Sequence, residues 1–170
     1  MRNYFLGTAA ALALAISAAP AFAASDTATA TVTILRPITV TKTSDLAFGR
    51  IVKPSSGSGS VSIDTSGSRS SSGGVTLLPS TVGKASFTVD GEGAQAVTIT
   101  VPATFSIANT SGAGSLTVTT SATNTGSQSL SGSLGGAGSL TVDVGGSIPI
   151  ADTTDSGTYS GTFQVSADYQ

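Results

Sequence analysis

Apolar residues in this chain recur at every second position, against a background of Ser, Thr and Gly. Ala85, Phe87 and Val89 alternate, Val97, Ile99 and Val101 alternate back, and Tyr159, Gly161, Phe163, Val165, Ala167 and Tyr169 share one face of the last run. A period of two buries one face of a β-strand, whereas a helix needs apolar residues at i, i+3, i+4 and i+7. That helical spacing is found nowhere beyond the N-terminal apolar stretch. Further short apolar runs occur around Ile38 and Val40, Leu46 and Phe48, Val61 and Ile63, Val75 and Leu77, Phe105 and Ile107, 116–118, 130–134, 140–144 and 148–150. Many short strands separated by Gly and Ser predict an all-β fold, an antiparallel β-sandwich.

The connections carry their own signals. Asp90-Gly91-Glu92-Gly93 between two alternating runs predicts a hairpin, because Gly takes positive φ without steric cost. Residues 66–74, rich in Ser and Gly, read as a long flexible loop. Residues 111–118 echo residues 135–142, two similar turn-to-strand passages and too few units for a solenoid. The run 159–169 predicts one strand of roughly 35 Å, long enough to be a pairing hazard unless both its edges are covered.

The N-terminus predicts export. Arg2 supplies a positive start, 5–16 is apolar, and Ala21-Phe22-Ala23 has the small-x-small pattern that signal peptidase reads. The apolar run is shorter than the ~20 residues a membrane-spanning helix needs. The expectation is a signal peptide over 1–23, cleaved after Ala23, leaving no transmembrane segment and a destination in the periplasm, at the cell surface or outside. An N-terminal extension, 24–36, then precedes one domain over 37–170.

Charge and chemistry narrow the function. Charged residues are 9% of the chain, and seven Lys and Arg face nine Asp and Glu for a net charge of −2. That is too little positive charge to hold nucleic acid by phosphate neutralisation. There is no Cys and no His, which removes the commonest general base, the thiol nucleophile and the usual metal ligands. Lys42, Lys53 and Lys84 sit in no nucleophile turn, and without Trp the chain lacks the usual sugar platform of a glycosidase. The expectation is a protein that is not an enzyme and takes no cofactor and no metal. Asp90 with Glu92, and Asp152 with Asp155, are the two places where oxygen ligands for calcium come near each other, although Asp in such positions ordinarily supports a turn. Arg50 and Lys53 are candidates for meeting acids on a partner.

Gly157, fourteenth from the C-terminus, the penultimate Tyr169, and the alternating Phe163, Val165 and Ala167 between them resemble the C-terminus of pilus subunits assembled by the chaperone–usher pathway. Across the region after the extension, 37–42, 45–49 and 157–163 resemble a bacterial family known as domain of unknown function 4402. Asp45-Leu46-Ala47-Phe48-Gly49 is also similar to a segment of pilins resembling spore coat protein U. The pilin resemblance implies an immunoglobulin-like sandwich lacking a strand, a groove beside the C-terminal strand, and a Gram-negative source. It implies as partners a periplasmic chaperone, an outer-membrane usher, and copies of self or related subunits that exchange strands. Ala28, Ala30, Val32 and Ile34 would then be the donor face, and Gly157, Tyr159, Phe163, Val165 and Tyr169 would form the acceptor side. Unlike many such pilins, this chain has no disulfide, and its donor face is mostly small. Two alternatives stand beside this reading: 28–34 is an edge strand of a complete sandwich, or the chain is a monomeric secreted module that binds carbohydrate or matrix.

Overall fold

The computed structural model describes residues 22–170. The chain divides into two units, Met1–Thr33 and Ile34–Gln170. The expected signal peptide lies outside the described residues except for Phe22 and Ala23. Within the first unit, 22–33 forms no helix or strand. The alternating run 28–34 carries no strand, and Val32 and Ile34 are 83% and 84% exposed. Among the described residues no helix is long and apolar enough to cross a membrane.

The second unit is all-β and sandwich-like. Its strands are β1 (Thr39–Ser44), β2 (Ile51–Val52), β3 (Ser58–Ile63), β4 (Arg69–Ser72), β5 (Thr76–Leu77) and β6 (Ala85–Glu92). There follow β7 (Ala96–Thr100), β8 (Thr104–Asn109), β9 (Ser115–Ala122), β10 (Gly126–Ser129), β11 (Ala137–Ala151), β12 (Tyr159–Ser160) and β13 (Ser166–Tyr169). The large sheet runs β1-β6-β11-β9-β8-β12, with β3 on β11 and β4 on β3. β10-β7-β13 forms a second, smaller sheet and β2-β5 a third. β11 is the spine. Its first half pairs with β6 and its second half with β3, while β9 takes the opposite edge.

The cores follow the alternation. One apolar cluster joins Phe87 and Val89 of β6 and Val142 and Val144 of β11 to Val97 and Ile99 of β7 and Ala167 of β13. A second gathers Val61, Val118, Ile148 and Ile150, with Val75, Phe48, Ile51 and Leu77 packed over them. The first is covered by the three-stranded sheet; among the described residues, the one ladder over the second is the two-residue pair β2-β5.

Four expectations are corrected. Asp90 and Gly91 do not turn a hairpin: β6 runs on to Glu92, paired with Ala137, and β7 lies in the other sheet. Gly91 is needed as a strand residue because a Cβ there would strike the Tyr169 hydroxyl and Leu130. The Ser-rich stretch expected as a loop contains β4, zipped to β3 with Ser60 opposite Ser72 and their hydroxyls 2.9 Å apart. The turn before it is set by Asp64, whose carboxylate accepts from the Ser66 hydroxyl and N–H and the Ser68 N–H. Those bonds, the Ser66 hydroxyl foremost, hold its pKa below the usual aspartate value. Residues 130–134 are not a strand; β10 ends at Ser129 and Leu134 is exposed. Finally, the C-terminal run is not one strand. β12 belongs to β8 in the large sheet and β13 to β7 in the small one, so 161–165 crosses between layers outside either ladder.

Candidate functional site

Over the thinly covered second core the surface opens into a groove of about 900 Å³. Its floor is apolar: Phe105 and Ile107 of β8, Leu116 of β9, Ile148 and Ile150 of β11, and Ala85 and Phe87 of β6. One wall is the chain from Lys42 to Lys53, presenting Leu46, Phe48 and Ile51. The other runs from Thr154 to Phe163. Lys53 Nζ donates to the Thr154 carbonyl at 2.8 Å and joins the two walls at one end.

The first wall is tied from behind. Ala47 exchanges both backbone hydrogen bonds with Gly83, and the Arg50 carbonyl accepts from Leu78 N. Arg69 reaches across from β4. Its guanidinium donates to the Phe48 carbonyl at 3.0 Å and the Leu78 carbonyl at 2.8 Å, with Arg50 O and Ser80 Oγ at 3.4 Å. A planar fork suits several carbonyls at once, and it leaves the wall's other edge turned to the groove.

The second wall is looser. Tyr159 and Ser160 pair with Asn109 and Ala108, and the Tyr159 hydroxyl donates to the Asp155 carbonyl at 2.8 Å. Gly157 lies against the Asn109 carboxamide, where any Cβ would collide. From 161 to 165 the chain belongs to no ladder, and among the described residues none of the backbone hydrogen bonds that tie the loops together involves it. Its side chains hold it: Val165 packs on the first core, and Phe163 makes the aromatic contacts. This ring stacks on Phe105 at 4.7 Å between centroids and meets Phe87 edge-on at 5.8 Å.

Gly157, Tyr159 and Phe163 thus all line the groove, whereas Val165 packs against the first core. Tyr169 lies elsewhere, where its hydroxyl accepts from Glu92 N at 2.6 Å and donates to the Arg36 carbonyl at 2.9 Å. Ala28, Ala30 and Val32 fall in the first unit. Sequence reasoning missed Leu46, Phe48 and Ile51 as groove residues, and Arg69 as the group behind them. At the two places where oxygen ligands come near each other, the Glu92 carboxylate is bonded to Arg36 and Gly135, Asp152 accepts from Gly57 N, and no three acidic side chains converge among the described residues.

The fold and groove define an all-β, sandwich-like domain with an open apolar channel beside its C-terminal segment. The model of the domain of unknown function DUF4402 matches residues 38–169, and the chain belongs to that family. No curated protein and no solved structure matches it.

Proposed function

We propose that this chain is an exported, non-catalytic structural subunit of pilin type, whose groove accepts an extended apolar strand from another copy. The observation that carries the reading is the groove itself: an apolar floor between two chain segments, the second of which, 154–163, belongs to no ladder after Ser160. A β-strand laid there would meet backbone on its edges and bury alternate side chains below. The chain offers such a strand in the run Ala28, Ala30, Val32 and Ile34. Val32 and Ile34 are exposed, and burying each would contribute about 1.5–3 kcal/mol. Before assembly an exposed channel of this kind needs a protective partner, the role a periplasmic chaperone has in pilins, and an outer-membrane usher would then order the exchange.

The test uses the domain begun at Ile34, which retains all the strands and both cores. A synthetic peptide of residues 24–36 is titrated in while the Tm is followed. At a hundredfold excess over its Kd the peptide should stabilise the domain by about 2.7 kcal/mol, roughly 10 °C for a chain of this size. A domain whose Tm ignores the peptide at every concentration sinks the reading, and leaves a self-sufficient binding module in its place.

A further inference from the structure

Arg36, at the root of the N-terminal extension, is fastened through its N–H, its carbonyl and its guanidinium. Its N–H donates to Glu92 Oε2 at 3.3 Å and its Nε lies 3.5 Å from the same oxygen. Nη2 donates to the Gly135 carbonyl at 3.3 Å, and the carbonyl of Arg36 accepts from the Tyr169 hydroxyl at 2.9 Å. Glu92 is only 3% exposed, and its second oxygen accepts from Gly135 N. A carboxylate buried this deeply is costly unless every lone pair is used, so the cluster is a built clasp and not a surface ion pair. Gly91 leaves the space through which Tyr169 reaches it. The next residue, Pro37, adds a covalent restriction: it drives Arg36 towards extended backbone and disfavours a tight turn centred on the two.

The clasp and the groove occupy opposite ends of β6. Ala85 and Phe87 line the groove, Glu92 closes the clasp, and the strand rises about 23 Å between its ends. Residues 24–35, fully extended, can span that distance and more. A tethered strand that reaches its own groove competes at an effective concentration on the order of millimolar, far above any copy arriving from solution. Without a restraint the chain would fill its own groove first.

We infer that Glu92, Tyr169 and Pro37 are positioning residues that stop the segment before Arg36 from folding back, so that the groove of one copy stays open for the strand of another. This rests on the strand-acceptor reading above. The clasp acts on the donor's direction and touches neither groove wall, so loosening it changes who donates, not whether a strand is accepted.

The test compares the chain 24–170 with its Glu92→Gln/Tyr169→Phe variant, each beside its own counterpart begun at Ile34, at dilute monomeric concentration checked by light scattering. All are titrated with the peptide 24–36. Both counterparts should bind it, and so should the unaltered longer chain. The longer variant should bind it at least about tenfold more weakly, as a groove about 90% self-filled requires. Pro37→Gly in the longer chain, which leaves the clasp bonds in place, should weaken peptide binding in the same direction and covers the case in which the double variant fails to fold. Equal peptide affinity in all the longer chains overturns the clasp's role, as does an unaltered longer chain that already refuses the peptide. If the unaltered counterpart begun at Ile34 does not bind it, the strand-acceptor reading itself falls, and the inference with it.

Discussion

Phe163→Ala tests whether one ring holds the crossing between the two layers. Residues 161–165 have no ladder, so side-chain packing attaches them, chiefly the Phe163 stack with Phe105 at 4.7 Å and its edge contact with Phe87 at 5.8 Å, beside Val165 on the first core. Truncating a fully buried Phe costs about 3–5 kcal/mol. Phe163 is half-buried, which takes that to about 2 kcal/mol, and the two aromatic contacts add about 0.5–1.5 kcal/mol each. The expected loss is about 3–5 kcal/mol, equivalent to roughly 10–20 °C in Tm. Urea denaturation of the domain begun at Ile34 reads it without interference from a donor strand, provided the m-value is unchanged. Phe163→Leu, which keeps most of the volume, should recover more than half of the loss. A Phe105→Ala/Phe163→Ala double-mutant cycle should then show a coupling of about 1 kcal/mol. A Phe163→Ala loss below about 1 kcal/mol, or a coupling of zero, would refute the argument, because the crossing would then be held by something other than these rings.

Arg69→Met should cost about 1–3 kcal/mol, since it strips a donor from the Phe48 and Leu78 carbonyls; urea denaturation measures it, and the peptide 24–36 should also bind more weakly as the groove wall loosens. Asp143 is paired with Lys84 at 2.7 Å and accepts from the Ser86 hydroxyl. Burial pushes its pKa up, but the bonds from Lys84 and Ser86 outweigh this and leave it below the ordinary aspartate value of 3.8. A carboxyl depressed in the folded state adds stability above its unfolded pKa and loses it as pH falls through the folded one. Asp143→Asn should therefore lower stability by about 1 kcal/mol at pH 7, with the deficit vanishing in urea titrations well below pH 3.8.

The period-two pattern was enough to find the cores: Phe87 and Val89, Val97 and Ile99, Val142 and Val144, Ile148 and Ile150 all point inward. Pairing was much less legible. A turn signal such as Asp90-Gly91 speaks for the local chain, yet β6 is claimed on both edges by β1 and β11, whose ladders outweigh a hairpin with β7. The alternation of 159–169 shows which side chains face in, and all but the exposed Gly161 are at least half-buried, but alternation carries no information about which sheet supplies the hydrogen bonds. β4 escaped notice because Ser alternating with Ser has no apolar period at all. The groove's second wall could be read from Gly157, Tyr159 and Phe163. Its first wall could not, because Arg69 stands far in sequence from the carbonyls it holds. Glu92, Arg36 and Tyr169 likewise meet from three distant stretches. The one local trace of that meeting was Gly91, a glycine inside a strand, which marks the close approach of another group.

β11 fixes when this molecule can take shape. Its partners β3, β6 and β9 all precede it, and Ser62 must wait for Ser147 before their hydroxyls can bond. Ladders formed across such separations are slow to close, because the intervening chain must first give up its freedom. Until the central strand arrives, β1-β6, β3-β4 and β8-β9 are separate two-stranded ribbons with no shared floor. A sheet whose organising strand follows all three of its partners gains its continuous floor in one late step, when that strand joins ribbons already made.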